Sequence, residues 1–304
     1  MNIARRRHSE EPSPIGTPAC RNIPTFPLPQ DHQTPTKDSS ISNLRLGREW
    51  SFDESRRIGA PGGFGDVYEG FGADGHSVAV KRIRPTTPVL AAGEIRVARA
   101  LMLQPRDHVL PVLDAGTDLG SGHYFIVMPR AEESLQDRLD REGAMRDDEA
   151  MSVLSDVLFG LQDLDGIVHG DLKPANVLFH ENRWKLADLG FARNSDEAPS
   201  NLSERMFVSD AYAAPEQWNL DAATRATDVY AFGCLAYAVL TGQPPFPGPR
   251  QRDYSAQHLE ETPRELPASP PVRALVQMCL AKDRTSRPSI DTALVLLRRA
   301  WVKS

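Results

Sequence analysis

The chain is short of cysteine, of long apolar runs and of any strong charge excess. Its three cysteines in 304 residues, Cys20, Cys234 and Cys279, are odd in number and far apart. That spacing excludes a disulfide framework and paired-cysteine metal ligation and fits a reducing compartment, so a cytoplasmic location is expected. Apolar runs stop short of the ~20 residues that span a bilayer. The longest candidate, Val229 to Leu240, contains Tyr230, Gly233 and Tyr237, follows Asp228 and reads as a buried helix. No hydrophobic stretch follows Arg5, Arg6 and Arg7, so no secretory leader is expected. With 41 acidic against 35 basic residues, the net charge of -6 argues against binding nucleic acid through bulk electrostatics. Neither a membrane nor a nucleic-acid partner is expected; the oligomeric state and any protein partner stay open.

What is present is a globular composition, 40 % hydrophobic and 25 % charged. The length allows two domains or one large bilobed unit. Residues 1–45 differ from the rest: seven prolines and nine Ser/Thr, with aliphatics scattered singly and without period. Such a segment buries too little to offset its chain entropy, so 1–45 reads as a disordered tail, either a docking or regulatory arm or an inert extension. Residues 46–304 form the folded part. Short alternating stretches predict strands at Trp50–Phe52, Asp66–Gly70, Ser77–Ile83, Val109–Leu113 and Tyr124–Met128. Apolar residues at helical spacing predict helices at Val89–Leu103, Ser134–Arg141, Asp147–Leu164, Asp228–Leu240, Pro271–Leu280 and Ile290–Val302. Strands first and helices afterwards indicate an α+β chain, a small β-rich lobe (about 46–128) followed by a larger helical lobe (about 132–304).

Three sets of residues carry chemistry. Glycines 59, 62, 63 and 65, between apparent strands, let backbone amides approach a polyphosphate unobstructed, although a Gly-rich hairpin turn would look similar. One hairpin downstream, Lys81 closes the apolar strand Val78-Ala-Val. A lysine there needs an anionic partner if buried, and Glu94 on the following helix can face it. An edge-strand lysine and a solvated helix face are the plain alternatives. The third set lies in His169-Gly-Asp-Leu-Lys-Pro-Ala-Asn176 and Lys185-Leu-Ala-Asp-Leu-Gly190. Asn176 falls five residues after Asp171 and Asp188 seventeen after it. Asn176 and Asp188 flank an expected hairpin that brings two hard oxygen donors together, as Mg²⁺ prefers. Asp171 is then placed to receive a hydroxyl proton. Singly, these residues read as a turn former, a helix cap and an Asx-turn; jointly, with the upstream lysine and glycines, the chemical reading prevails.

The combined set resembles the catalytic domain of eukaryotic-like (Hanks-type) Ser/Thr protein kinases from about Arg48 to the C-terminus. Ser209-Asp-Ala-Tyr-Ala-Ala-Pro-Glu216, Asp228-Val-Tyr-Ala-Phe-Gly233 and Arg287-Pro-Ser289 follow in the family's order. The resemblance implies a bilobed kinase-like fold and ATP- and Mg²⁺-dependent phosphoryl transfer to Ser/Thr hydroxyls of proteins, its own among the candidates. It implies that Lys81, oriented by Glu94, holds the α- and β-phosphates. Asp188 and Asn176 hold Mg²⁺, Asp171 takes the acceptor proton, and Lys173 offsets charge on the transferring phosphate. Ser209 bridges Asp171 and Lys173, Glu216 pairs with Arg287, and Asp228 holds the catalytic-loop backbone. The nucleotide site comprises Gly59, Gly62, Gly63, Gly65, Val67, Ala79 and Lys81, with Met128 as gatekeeper and Ala131 as amide donor.

The departures are local. The glycine loop carries one extra residue, and Pro61 stiffens it. Leu189 replaces the usual Phe. Gly170 stands where most regulated members carry an Arg that receives an activation-loop phosphate, so activity independent of phosphorylation at Ser195, Ser200 or Ser203 is expected, with Arg193 as one residual cation. A small-molecule kinase of the aminoglycoside or choline type shares His-Gly-Asp but lacks the later motifs. A pseudokinase scaffold usually loses Lys81, Asp171 or Asp188, all present here.

Overall fold

Six of the strands fall in the first third of the described chain and all helices but one come after them. The computed structural model describes residues 40–59, 65–84, 88–189, 193–194 and 209–301. Strands β1 (Ile41–Arg45), β2 (Glu49–Ile58), β3 (Gly65–Gly72), β4 (Ser77–Ile83), β5 (Asp114–Thr117) and β6 (Tyr124–Pro129) form one antiparallel sheet ordered β1-β2-β3-β4-β6-β5.

The two-residue period of these strands sorts their side chains onto two faces. Val80 pairs with Tyr68 on one side and Val127 on the other. That face buries Leu44, Trp50, Phe52 and Phe125 with them. The opposite register, Val67 with Lys81 and Lys81 with Ile126, belongs to the other face. There α1 (Pro88–Leu103) packs Ala91, Ile95 and Ala98 against Ile83, Ala115 and Ile126. Helix and lysine thus share one side of the sheet.

Two expectations are corrected. Ile41–Arg45, assigned to the tail, forms strand β1, because Leu44 fills the sheet core at 1 % exposure. Asp114 holds its turn, accepting from Arg48 N–H and Trp50 Nε1–H at 2.9 Å each. The sheet thus includes residues 41–45; residues 1–39 lie outside the described residues. Val109–Leu113 is not a strand. Pro111 lacks an N–H, and only an isolated bridge joins Val109 to Leu186, so pairing resumes at β5.

Helices dominate the second lobe: α2 (Leu135–Glu142), α3 (Asp147–Asp163), α4 (Pro215–Trp218), α5 (Arg225–Thr241), α6 (Gln251–Glu260), α7 (Pro270–Cys279) and α8 (Ile290–Trp301). A capping box between Ser134 and Asp137 starts α2. Helix α5 is buried on every side from Thr227 to Val239, which makes it the axis of this lobe. Helix α6 was not expected, because its short polar sequence has no clear apolar stripe. Strand β7 (Glu133–Ser134) pairs with β9 (Val177–His180), which makes the expected hairpin with β10 (Arg183–Leu186), with Glu181 (φ 52°) and Asn182 (φ 61°) in its tight turn. Among the described residues, no helix is long and apolar enough to cross a membrane.

Candidate active site

Lys81 is 4 % exposed, and its ammonium reaches Glu94 Oε1 at 2.6 Å and Asp188 Oδ1 at 2.5 Å. Asp188 follows β10, 107 residues away in sequence. Burial opposes the Lys81 charge, but Asp188 and Glu94 more than reverse this and push its pKa up. Burial raises Glu94 against the pull of Lys81. Crowding by neighbouring groups opposes the charge on Asp188 even though its side chain is partly exposed, yet the Lys81 ammonium holds that carboxyl below its ordinary value. Asp188 is a non-glycine residue at φ 57°, a strained backbone of the kind found at functional sites.

The loop between β8 (Ile167–Val168) and β9 supplies the second cluster. Ser209 Oγ donates to Asp171 Oδ1 at 2.7 Å, and Lys173 Nζ donates to Asp171 Oδ2 at 2.7 Å. Lys173 also donates to Ser209 Oγ at 2.7 Å, closing a triangle around the carboxylate. Asn176 Nδ2 donates to the Asp171 carbonyl at 2.8 Å and to Oδ2 at 3.3 Å. Asn176 O accepts from Ala187 N–H at 2.9 Å, tying this cluster to the segment that carries Asp188.

Buried charges anchor the loops from behind. Asp228, in the first turn of α5, accepts from His169 N–H and Gly170 N–H at 2.9 Å each. Burial raises its pKa, against the pull of His169 and these two amides. Arg287 grips Glu216 with two bonds of 2.7 and 2.8 Å. Burial opposes the Glu216 charge, but Arg287 prevails and keeps its pKa low. Thr227 Oγ1 adds a 2.7 Å bond to Glu216. Sequence reasoning missed Thr227, and it missed Gln217, which bonds both Gly170 and Ala214. The only available signal for Gln217 was its position three residues after Ala214, the spacing of a helix-capping side chain.

Of the expected nucleotide-site residues, Val67, Ala79 and Lys81 share the sheet face on which Met128 is paired with Ala79. Met128 lines a cavity of about 40 Å³ together with Glu94, Leu101, Ile126 and Leu186. Ala131 follows β6, and no hydrogen bond engages its N–H among the described residues. Gly59 ends β2. A Cβ on Gly65 would meet Arg82 O at 2.4 Å, so close strand approach requires glycine there. Gly62 and Gly63 lie outside the described residues, as do Pro61, Ser195, Ser200, Ser203 and the Arg193 side chain.

The protein kinase domain model matches residues 52–301, and the chain belongs to that family. It is 32 % identical over 223 residues to "Serine/threonine-protein kinases drp72" of Corynebacterium efficiens, covering 69 % of this chain and 43 % of that protein. It is 32 % identical over 192 residues to "Serine/threonine-protein kinase PknB" of Mycobacterium tuberculosis, covering 59 % and 31 %. To "Serine/threonine-protein kinase pkn2" of Myxococcus xanthus it is 33 % identical over 248 residues, covering 75 % and 30 %. The similarity thus spans less than half the length of these curated relatives.

Proposed function

We propose that this chain transfers the γ-phosphoryl group of ATP to Ser/Thr hydroxyls of proteins, its own among the candidate acceptors. The observation that carries the reading is the convergence of Lys81 and Asp188 at 2.5 Å, with Asp171 held by Lys173 and Ser209 on the adjoining loop. A phosphoryl group in flight is metaphosphate-like, so the protein's work is positioning and charge neutralisation. Lys81, kept charged by Asp188 and Glu94, holds the α- and β-phosphates. Asp171 orients the acceptor hydroxyl and takes its proton, while Lys173 offsets charge on the moving group. Membership in the protein kinase family and the names of the relatives favour a protein acceptor over an aminoglycoside or choline.

The donor set fits Mg²⁺. The Asn176 amide nitrogen is committed to Asp171, leaving its oxygen as the donor, and the Asp188 side chain is 39 % exposed with one oxygen on Lys81. Both are hard oxygens of the kind Mg²⁺ takes alongside phosphate and water. Asn176 and Asp188 would hold the ion, which when bound neutralises the triphosphate. Retention of Lys81, Asp171 and Asp188 together supports an active enzyme over a scaffold. The free, buried thiols of Cys234 and Cys279 support a reducing, cytoplasmic location.

The test is incubation with γ-labelled ATP and Mg²⁺, comparing the chain with Asp171→Ala, followed by phosphoamino-acid analysis. Label on Ser or Thr only with the unmutated chain is expected. Equal labelling of both, or label on an aminoglycoside and on no protein, defeats the proposal.

A further inference from the structure

The residue preceding Asp171 has no side chain and is held by its backbone alone. Gly170 sits at φ 78°, where only glycine is free of strain, and glycine leaves the adjoining peptide plane soft to rotation. Its N–H donates to Asp228 Oδ1 at 2.9 Å, and its carbonyl accepts from Gln217 Nε2 at 2.9 Å. The Asp171 N–H, on the other side of the same peptide unit, points to His169 Nδ1 at 3.4 Å. The short Gln217 bond is therefore the firmer of the two grips on the plane from which the Asp171 side chain departs.

Gln217 is anchored at its other end as well. Its Oε1 accepts from Ala214 N–H at 2.9 Å, so one amide spans from the start of α4 to the catalytic loop. The same short helix carries Glu216, locked to Arg287 and Thr227, and cannot drift. The segment entering α4 contains Ser209, whose hydroxyl bonds Asp171 Oδ1. Rotation of the Gly170–Asp171 peptide would carry the Asp171 carboxylate away from that hydroxyl and from Lys173.

We infer that Gln217 is a positioning residue, a neutral strut that sets the Gly170–Asp171 peptide plane and thereby aims the Asp171 carboxylate. The inference rests on the reading of Asp171 as proton acceptor. It needs no charge on the strut, so the aim is kept without a phosphate group.

Gln217→Glu tests it. The variant keeps the size and the acceptor oxygen for Ala214 N–H but puts a carboxylate oxygen against the Gly170 carbonyl. With ATP, Mg²⁺ and myelin basic protein as acceptor, kcat is expected to fall about tenfold or more at pH 8, since small misalignments of reacting groups cost that much. KM for ATP stays unchanged. The facing Gly170 carbonyl oxygen disfavours the charged form and raises the pKa of the new carboxyl, so lowering the pH to 5.5 increases its protonated fraction, which donates to Gly170 O, and the gap to the unmutated chain narrows. Gln217→Ala, with no donor at any pH, keeps a constant deficit. A kcat for Gln217→Glu within twofold of the unmutated chain, or a deficit as pH-independent as that of Gln217→Ala, overturns the inference alone. An unmutated chain no more active than Asp171→Ala overturns the proposed function and the inference with it.

Discussion

Replacing Glu94 by Gln separates orientation of Lys81 from stability of the fold. Lys81 Nζ lies 2.6 Å from Glu94 Oε1, and both residues are almost fully buried. At an effective dielectric of about 20, a unit pair at that distance has a gross attraction of about 6 kcal/mol. Burying the two ions costs several kcal/mol each, so the net contribution to stability is close to zero. Glutamine keeps the shape and one acceptor oxygen, and Asp188 still neutralises the ammonium. The variant should therefore unfold within about 1 kcal/mol of the unmutated chain, a melting shift below about 4 °C for a protein this size. Activity should respond differently. With Glu94 uncharged, the ammonium settles wholly on Asp188, 2.5 Å away, and occupies the carboxylate proposed for Mg²⁺. A loss of about 10²-fold in kcat/KM for ATP follows, about 2.7 kcal/mol of transition-state stabilisation. Steady-state kinetics and thermal melts on the same preparations measure both. Unchanged kinetics would refute the orienting role. A stability loss of about 3–5 kcal/mol, the range for an uncompensated buried ion, would refute the near-cancellation.

Asp171→Asn should lower phosphoryl transfer by at least about 10²-fold, the lower range of general-base contributions, while calorimetry finds nucleotide binding retained. Glu216→Ala should cost about 3–5 kcal/mol in denaturant unfolding, because Arg287, with a fully buried side chain, loses its bidentate partner. His258 is buried, and burial together with Lys282 pushes its pKa down to about 3 from 6.5. A depressed histidine means the unfolded chain binds the proton first. Its stabilising contribution is complete above pH 6.5 and falls toward pH 3, a loss of about 2 kcal/mol by pH 5, which His258→Gln should remove from the acid limb of a stability–pH curve. Joint alanine substitution at Ser195, Ser200 and Ser203 should leave kcat within a few fold; loss of activity with ATP binding intact, measured by calorimetry, would show that Gly170 does not free the enzyme from loop phosphorylation.

The local sequence settled which residues could do chemistry. A lysine just after the apolar run Val78-Ala-Val, and Asp171, Asn176 and Asp188 at fixed offsets, were visible because short-range spacing dictates them. The hairpin between Asn176 and Asp188 was readable for the same reason, since a two-residue turn joins adjacent strands. The place of Ile41–Arg45 in the sheet was not readable. Leu44 looks like another isolated aliphatic until the sheet supplies Trp50 as its cross-strand neighbour. Pro111 likewise interrupts a segment whose apolar residues alone suggested a strand.

Tertiary packing decided what faces what. Glu94 meets Lys81 because α1 covers the sheet face on which every second β4 side chain emerges. Gln217 meets Gly170 across 47 residues because α5, buried on all sides, holds Asp228 under the catalytic loop while Arg287 pins Glu216 beside it. Propensity and spacing act over a few residues, whereas these contacts follow from how buried elements pack. That is why the amino acids of the site could be named from the chain, while the strut that aims one of them emerged only from the fold.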